Sequence, residues 1–176
     1  MSTGSPVPAE PSAVEQRLHA LGYAVPSVAP PVASYVPALV HGHLTYTSGQ
    51  LPFVDGQLPA VGKVGSDGGV SPEEAHDCAR LCALNAIAAV KSVLGDLDRV
   101  TQVVKVVGFV ASDPDFTGQP AVVNGASELL GHAFGSAGVH ARSAVGVAVL
   151  PMNSPVEVEI VVSTAPSGEA GDTAPA

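Results

Sequence analysis

Hydrophobic residues recur along this chain with two periods, and the changes between the periods predict the order of its helices and strands. The helical period appears in three segments, Ala13 to Leu21, Pro72 to Leu94 and about Pro120 to Phe134. Alternation, or an unbroken run of β-branched residues, predicts strands. The strands are Tyr35 to Val40, His43 to Ser48, Val100 to Val110, Ser143 to Leu150 and Val156 to Thr164.

Local signals define the helix ends. Ser12 is typical of an N-cap for the first helix, and Gly22 ends it. Ser71 and Glu74 predict a capping box for the second helix, with Gly95 as its C-terminal cap. The predicted inner stripe of that helix is rich in small residues, so we expect it to lie close on a sheet. The stripe comprises Ala75, Cys78, Ala79, Cys82, Ala86, Ala89, Val90 and Val93.

The order β-β-(β)-α-β-α-β-β predicts an α+β single domain with two helices on one face of a mixed sheet. The bracketed strand stands for Pro52 to Gly69, a loop-like segment with room for one short strand or hairpin. Two strands, Val103 to Val110 and Val145 to Val149, are apolar on both alternating sets, which is typical of strands covered on both sides. Two helices cover only one side. We therefore expect self-association through the other, as a cyclic homo-oligomer.

Composition sets the limits of the domain and its compartment. Residues 1–11 and 166–176 are rich in Pro, Gly, Ser and Ala and are predicted to be disordered tails around a domain at 12–165. Hydrophobic residues make up 46% of the 176 residues, yet no apolar run approaches the roughly 20 residues of a membrane span. The N-terminus has no basic region or apolar core of a secretory signal. A cytoplasmic protein without membrane contact is expected.

The charge balance and the metal-binding residue types restrict the partners. The net charge is −9, with 7 Lys+Arg against 16 Asp+Glu, which disfavours nucleic acid as a partner. Cys78 and Cys82 lack further ligands at zinc-site spacing and are interpreted as small buried hydrophobic residues. His41 and His43 would share one face of a strand, again without a third ligand. No metal site is predicted.

An arginine at the head of an apolar strand is the most informative feature of this charge-poor chain. Arg142 stands before the run Ser143 to Leu150, and Glu157 follows fifteen residues later in the next predicted strand. A guanidinium is a fixed fork of donors that suits a carboxylate. The combination predicts a pocket for a small anion at the mouth of a strand pair.

Four blocks of sequence, in order, resemble the RidA/YjgF family of trimeric imine deaminases, formerly described as L-PSP-like endoribonucleases. The blocks are Ser34-Tyr35-Val36-Pro37, Tyr46-Thr47-Ser48-Gly49-Gln50-Leu51-Pro52, Asp115-Phe116 with Asn124, and Ala141-Arg142-Ser143 with Leu150-Pro151 and Val156-Glu157-Val158-Glu159. The resemblance covers about residues 32–164 and implies a chorismate-mutase-like fold.

Several positions depart from the family pattern and indicate a divergent branch. His140 stands where the family has proline, Ser127 where it has an aromatic residue, and Ala144 where it often has cysteine. The segment Gly62-Lys63-Val64-Gly65 differs from the usual loop, and an N-terminal segment with a helix at about 12–22 is added. His140 is interpreted either as a pocket wall or as a solvated loop residue.

The resemblance implies two catalytic residues. Arg142 would hold the substrate carboxylate, and its alternative is a structural arginine that bridges subunits. Glu157 would position or activate water, since imine hydrolysis needs water at carbon and a proton at nitrogen. The alternative for Glu157 is an exposed or salt-bridged strand residue. Glu159 shares its strand face and is interpreted as structural.

The resemblance also implies five substrate-binding residues. Tyr35 would line the pocket or else pack in the core. Ser48 would offer its hydroxyl and Gly49 would allow close approach of the backbone, or else the two would form a strand-end turn. Asn124 would supply a pocket amide or cap its helix. Ala144 would contribute only its backbone N–H, beside the arginine.

Two functions are consistent with these residues. The first is hydrolysis of reactive 2-imino or 2-enamino acids to 2-keto acids and ammonia, at intersubunit clefts of a homotrimer and without metal or cofactor. The second is a non-catalytic protein of the same fold that binds a small carboxylate-bearing metabolite. An endoribonuclease activity, assigned to some relatives, is disfavoured by the acidic balance.

Overall fold

A computed structural model describes residues 10–28, 34–65, 67 and 69–165. The helices are α1 (Ala13–Ala20), α2 (Pro72–Leu94) and α3 (Gln119–Phe134). The strands are β1 (Ala38–His41), β2 (Leu44–Thr47), β3 (Val100–Ala111), β4 (Ala141–Val147) and β5 (Val156–Thr164). The predicted disordered tails lie outside the described residues, apart from Glu10 and Pro11.

The described strands form one mixed five-stranded sheet in the order β1-β2-β5-β3-β4. Every neighbouring pair is antiparallel except β3 and β4, which are parallel and joined through α3. Helices α2 and α3 pack together on one face, where Ile87, Leu130, Val106 and Ile160 are fully buried. The predicted α+β fold with two helices on one sheet face is confirmed.

Helix α2 has the predicted bounds because its end signals are strong. The Ser71 hydroxyl accepts a hydrogen bond from Glu74 N at 3.1 Å, one half of the predicted capping box, and Gly95 adopts φ 77°. The inner stripe is buried as predicted, except at Val93, where the prediction is wrong. Val93 is 40% exposed, because the last turn directs Leu94 toward the core instead.

Two strand predictions, for β1 and β4, need the larger corrections at their ends. Strand β1 begins at Ala38 rather than Tyr35, because Pro37 has no N–H to donate to a ladder. Strand β4 runs from Ala141 to Val147 rather than from Ser143 to Leu150, because its partner β3 ends at Ala111. The apolar run of the sequence thus continues beyond Val147, the last residue of β4 with a pairing partner on β3.

The two histidines of the β1–β2 hairpin do not share a strand face. His41 is the last residue of β1 and pairs with Leu44, whereas His43 is the second residue of the two-residue turn Gly42-His43. Gly42 has φ 60°, the left-handed conformation that such turns require at their first central position.

Helix α1 of the N-terminal segment is fastened to the domain at its first turn and its inner face. The Asp98 carboxylate accepts hydrogen bonds from Ala13 N at 2.8 Å and Val14 N at 3.2 Å. Glu15 pairs with Lys91 of α2, and this hydrogen bond lowers the pKa of the Glu15 carboxyl. The added segment therefore belongs to the core of this chain.

Leu18→Ala is expected to destabilise the protein by about 2–5 kcal/mol, because the fully buried Leu18 side chain leaves a cavity under α1. Leu21→Ala is the matched control, since Leu21 is 45% exposed and should cost within about 0.5 kcal/mol. Urea unfolding followed by circular dichroism measures both. Equal, small losses would mean that α1 contributes little to stability.

Candidate functional site

Arg142 lies on the edge strand β4 and points toward the helices. Its register partner on β3 is the fully buried Val106, and neighbours across a pair point to the same side. The guanidinium donates from Nη1 to Asn124 Oδ1 at 2.8 Å and to Ser127 Oγ at 3.1 Å, and from Nη2 to the Pro120 carbonyl at 3.2 Å. Three bonds to α3 thus fix the orientation of the fork.

Two donors of the Arg142 fork are left for a ligand. A guanidinium has five N–H donors, and three are used by α3. The others, Nε–H and one on Nη2, have no partner among the described residues. Two converging donors match the two oxygens of a carboxylate.

The backbone of β4 adds a further donor beside Arg142. The Val147 carbonyl accepts from Ser112 N at 3.2 Å, so the odd-numbered residues of β4 direct their backbone groups toward β3. By alternation, Ala144 N–H points to the free edge of the sheet, two residues along the strand from Arg142. Arg142, Asn124 and Ala144 are therefore brought together at this edge.

Glu157 lies on the opposite face of the sheet. It pairs with Phe109, whose neighbour Gly108 faces α3 so closely that a Cβ there would lie 2.5 Å from Val123. Phe109 and Glu157 therefore face away from the helices. Within one chain, Arg142 and Glu157 do not meet, and the predicted strand pair is wrong because β3 separates β4 from β5.

The surroundings of Glu157 favour its protonated form. Burial raises the pKa of the Glu157 carboxyl, and the neighbouring charge of Glu159 raises it further. No ion pair of Glu157 occurs within the part of the chain that the structure describes. Glu159 shares the face of Glu157, as predicted.

A bulge in β2 brings Gly49 against the Glu157 carboxyl. Thr47 Oγ1 accepts from Ile160 N at 3.0 Å in place of a backbone oxygen, and Gln50 resumes the pairing with Val158. Between these points, a Cβ built on Gly49 would lie 1.7 Å from Glu157 Oε1. Only glycine leaves room for this carboxyl.

Gly49→Ala is expected to reduce any turnover that depends on Glu157 by at least about tenfold, while stability changes by less than about 1 kcal/mol. The added methyl displaces the end of a flexible side chain, so Glu157 moves and the backbone stays in place. Steady-state kinetics and urea unfolding measure the two effects. Gly131→Ala is the control, since Gly131 has open space around it. Wild-type turnover in Gly49→Ala would contradict a role for this contact.

Asn85 of α2 holds the loop that follows Gly49. Its Nδ2 donates to the carbonyls of Leu51 at 2.8 Å and Phe53 at 3.1 Å. Sequence reasoning missed this residue. The signal was a single amide within an apolar stretch of the helix, since a half-buried amide needs backbone partners.

Tyr35 lies in the segment that precedes β1, and Ser48 lies in the bulge, which is hydrogen-bonded to that segment. Tyr35 is 52% exposed, so the core-packing alternative is wrong. Ser48 donates from Oγ to the Val36 carbonyl at 2.7 Å and from N to the Pro37 carbonyl at 2.9 Å. Both bonds run to the segment before β1 and extend the β1–β2 pairing beyond Ala38 and Thr47, and the lone pairs of the hydroxyl remain available as acceptors.

Asn124 lies in the second turn of α3 and is not a cap. The N-cap position belongs to Gly118, so the capping alternative for Asn124 is wrong. Its amide oxygen instead accepts from Arg142.

The cysteines are buried, as predicted. Burial raises the pKa of the Cys78 thiol to about 11 and that of Cys82 well above its usual value, so both stay neutral. Among the described residues, no group of three or more His, Cys, Asp or Glu side chains is placed to hold a metal ion. None of the helices described is long and apolar enough to cross a membrane.

The fold and sequence together define a chorismate-mutase-like α+β protein. The family model described as "YjgF/chorismate_mutase-like, putative endoribonuclease" matches residues 15–163. The chain belongs to this family.

Individual relatives agree with this assignment. Protein TCP17 of Trypanosoma cruzi is 43% identical over 150 residues, which cover 85% of this chain and 92% of TCP17. The structure of protein Atu1372 from Agrobacterium tumefaciens, of unknown function, is 44% identical with a TM-score of 0.81 and covers 87% of this chain and 93% of Atu1372. TdcF of E. coli, solved with bound serine, is 25% identical with a TM-score of 0.55, covering 78% of this chain and 94% of TdcF.

Proposed function

We propose that this protein hydrolyses reactive 2-imino and 2-enamino acids to 2-keto acids and ammonia. The observation that carries the proposal is the Arg142 fork, fixed by α3 with two donors left at the sheet edge beside the Ala144 N–H. Such a site fits the carboxylate of a small acid. TdcF of E. coli, to which this chain is similar, was solved with bound serine, an amino acid that carries this group.

The site that we propose is shared by two copies of the chain. Arg142 and Glu157 point to opposite faces of one sheet, so a cleft with both residues needs a second copy. The helix-free face also exposes apolar side chains that a second copy would bury. These include the exposed Leu39, Tyr46 and Val145 and the half-buried Val107 and Phe109. We propose a homotrimer with three such clefts, and light scattering of the purified protein tests it, since a monomer would contradict it.

In this cleft, Arg142 holds the carboxylate and Glu157 handles water and protons. An enamine first becomes the imine, as C3 gains a proton and nitrogen loses one. Water then attacks C2 of the imine, Glu157 takes a proton from that water, and nitrogen gains a proton to give a carbinolamine. Expulsion of ammonia from this intermediate leaves the 2-keto acid. A raised pKa brings the carboxyl closer to working pH, where one group both accepts and returns a proton. Tyr35 and Ser48 shape the cleft. The imine and water together supply every atom of the products, so the reaction needs no cofactor.

The second candidate is a non-catalytic protein that binds a small carboxylic metabolite at the same residues. The bound serine of TdcF favours it, because serine is neither an imine nor an enamine. RNA cleavage, which the family description names, is a weaker candidate for this chain. A net charge of −9 opposes the phosphate contacts from which RNA affinity largely comes.

The two candidates are separated by one assay. An amino-acid oxidase generates imines in situ from a panel of amino acids, and semicarbazide traps what is left. We expect the wild-type protein to lower the trapped imine and to raise the 2-keto acid. No effect on any imine, together with saturable binding of pyruvate or 2-oxobutanoate, would support the binding protein and end the deaminase proposal.

A further inference from the structure

His140 and Ser127 form a hydrogen-bonded chain that ends on Arg142. Ser127 Oγ accepts from Arg142 Nη1 at 3.1 Å and lies 2.9 Å from His140 Nε2. His140 Nδ1 lies 2.6 Å from the Gly138 carbonyl oxygen. Both residues are half-buried, and they join α3, the turn before β4 and β4 itself.

The donor and the acceptor of each hydrogen bond in this chain follow from the Gly138 carbonyl at its end. A carbonyl oxygen only accepts, so His140 Nδ1 must carry the proton and donate to Gly138. In the neutral ring Nε2 is then an acceptor, and the Ser127 hydroxyl must donate to it. The Ser127 lone pairs are thereby turned toward Arg142, from which they accept.

We propose that His140 and Ser127 are positioning residues that set the Arg142 fork for the substrate carboxylate. Asn124 accepts from the same Nη1, so Ser127 fills the second hydrogen of that nitrogen and stops the guanidinium from turning. The two free donors then face the sheet edge in one orientation. This assignment rests on the proposed carboxylate site.

The hydrogen-bonded chain of His140 and Ser127 holds Arg142 in position and does not carry protons to the substrate. Its far end is the Gly138 backbone carbonyl, which holds the Nδ1 proton and has no path to the reacting atoms. Loss of the chain should therefore weaken binding of the carboxylate and leave the chemical step unchanged.

Variants of the two residues test this in the imine assay. Ser127→Ala and His140→Leu should each raise KM about tenfold with kcat unchanged, equivalent to ~1.4 kcal/mol of lost binding. His140→Gln, whose amide oxygen reaches the place of Nε2, should remain within about threefold of wild type. The double variant Ser127→Ala/His140→Leu should have a KM no higher than Ser127→Ala alone, because both residues act through the bond from Arg142 to Ser127. His132→Leu is the control, an exposed histidine whose Nδ1 also contacts a backbone carbonyl.

A ligand-free measurement separates this proposal from the proposed function. In NMR spectra of arginine- and histidine-labelled protein, we expect His140 as the Nδ1–H tautomer and resolved Arg142 Nη protons. The Nη protons should average in Ser127→Ala and His140→Leu. An Nε2–H tautomer, or Arg142 signals unchanged in Ser127→Ala, overturns the positioning role even if the enzyme is active. If the spectra are as expected but the protein does not turn over imines, the positioning role stands and the proposed reaction is ruled out.

Discussion

Arg142→Ala is expected to lower kcat/KM for imine hydrolysis at least about 100-fold. Two charge-assisted hydrogen bonds to a carboxylate, at about 1.5–3 kcal/mol each, account for a loss of this size. The same variant loses three bonds to α3, so the melting temperature should also fall. Steady-state kinetics on the folded fraction, checked by circular dichroism, separates the two effects.

Two controls show whether the fork or only the charge matters. Arg142→Lys keeps the charge without bidentate geometry and should recover only part of the activity. Arg80→Ala removes a similarly half-buried arginine, which pairs with Asp77 on α2, and should keep wild-type kcat/KM. Equal activity of Arg142→Ala and wild type on every imine would contradict the role of Arg142.

Glu157→Gln is expected to lower kcat at least about 100-fold while making the protein more stable at neutral pH. The glutamine keeps the shape of the side chain but neither accepts the proton of water nor carries it to nitrogen. It also removes a half-buried charge. Kinetics and thermal unfolding on the same samples measure both changes.

The sign of the stability effect follows from the raised pKa of Glu157. Below the unfolded-state pKa, the carboxyl is protonated in both states and costs nothing. As pH rises toward and through the higher folded-state pKa, the folded protein holds the proton longer than the unfolded chain, so stability falls with pH. The gain in Glu157→Gln should therefore be present at pH 7 and vanish below about pH 4. A variant that is less stable than wild type at pH 7 would contradict this.

Glu159→Gln is the matched control on the same strand face. It should keep substantial activity, because Glu159 contributes to the site through its charge. Removal of that charge should lower the pKa of Glu157, so the acid limb of the pH–rate profile should move to lower pH. An unmoved limb would mean that another group controls it.

Local signals explain which elements could be predicted from the sequence. The bounds of α2 were predicted to the residue because a cap, an N1 proline and a terminal glycine mark them. Strand β5, Val156 to Thr164, was also predicted correctly. The end of β4 was not, because it depends on where another strand ends, at Ala111. Pairing is a property of two segments, and hydrophobicity of one segment does not contain it.

The site divides in the same way. A charge at the head of an apolar strand singles out Arg142 in the sequence, and the structure shows its guanidinium hydrogen-bonded to Asn124. The separation of Arg142 from Glu157 could not be inferred from the sequence, because it depends on β3, which lies between β4 and β5. Ser127 and His140 could be identified only as departures from the family pattern. Their contact joins a helix to a turn, which no spacing along the chain reveals.

Subunit mixing tests the central claim, that one site takes Arg142 from one copy and Glu157 from another. Arg142→Ala and Glu157→Gln chains, differently tagged and each nearly inactive alone, are refolded together and the mixed oligomers are isolated. In a mixed trimer with sites between neighbours, one site in three regains both residues, so about a third of wild-type activity should return. Mixed oligomers that remain as inactive as their parents would contradict a shared site.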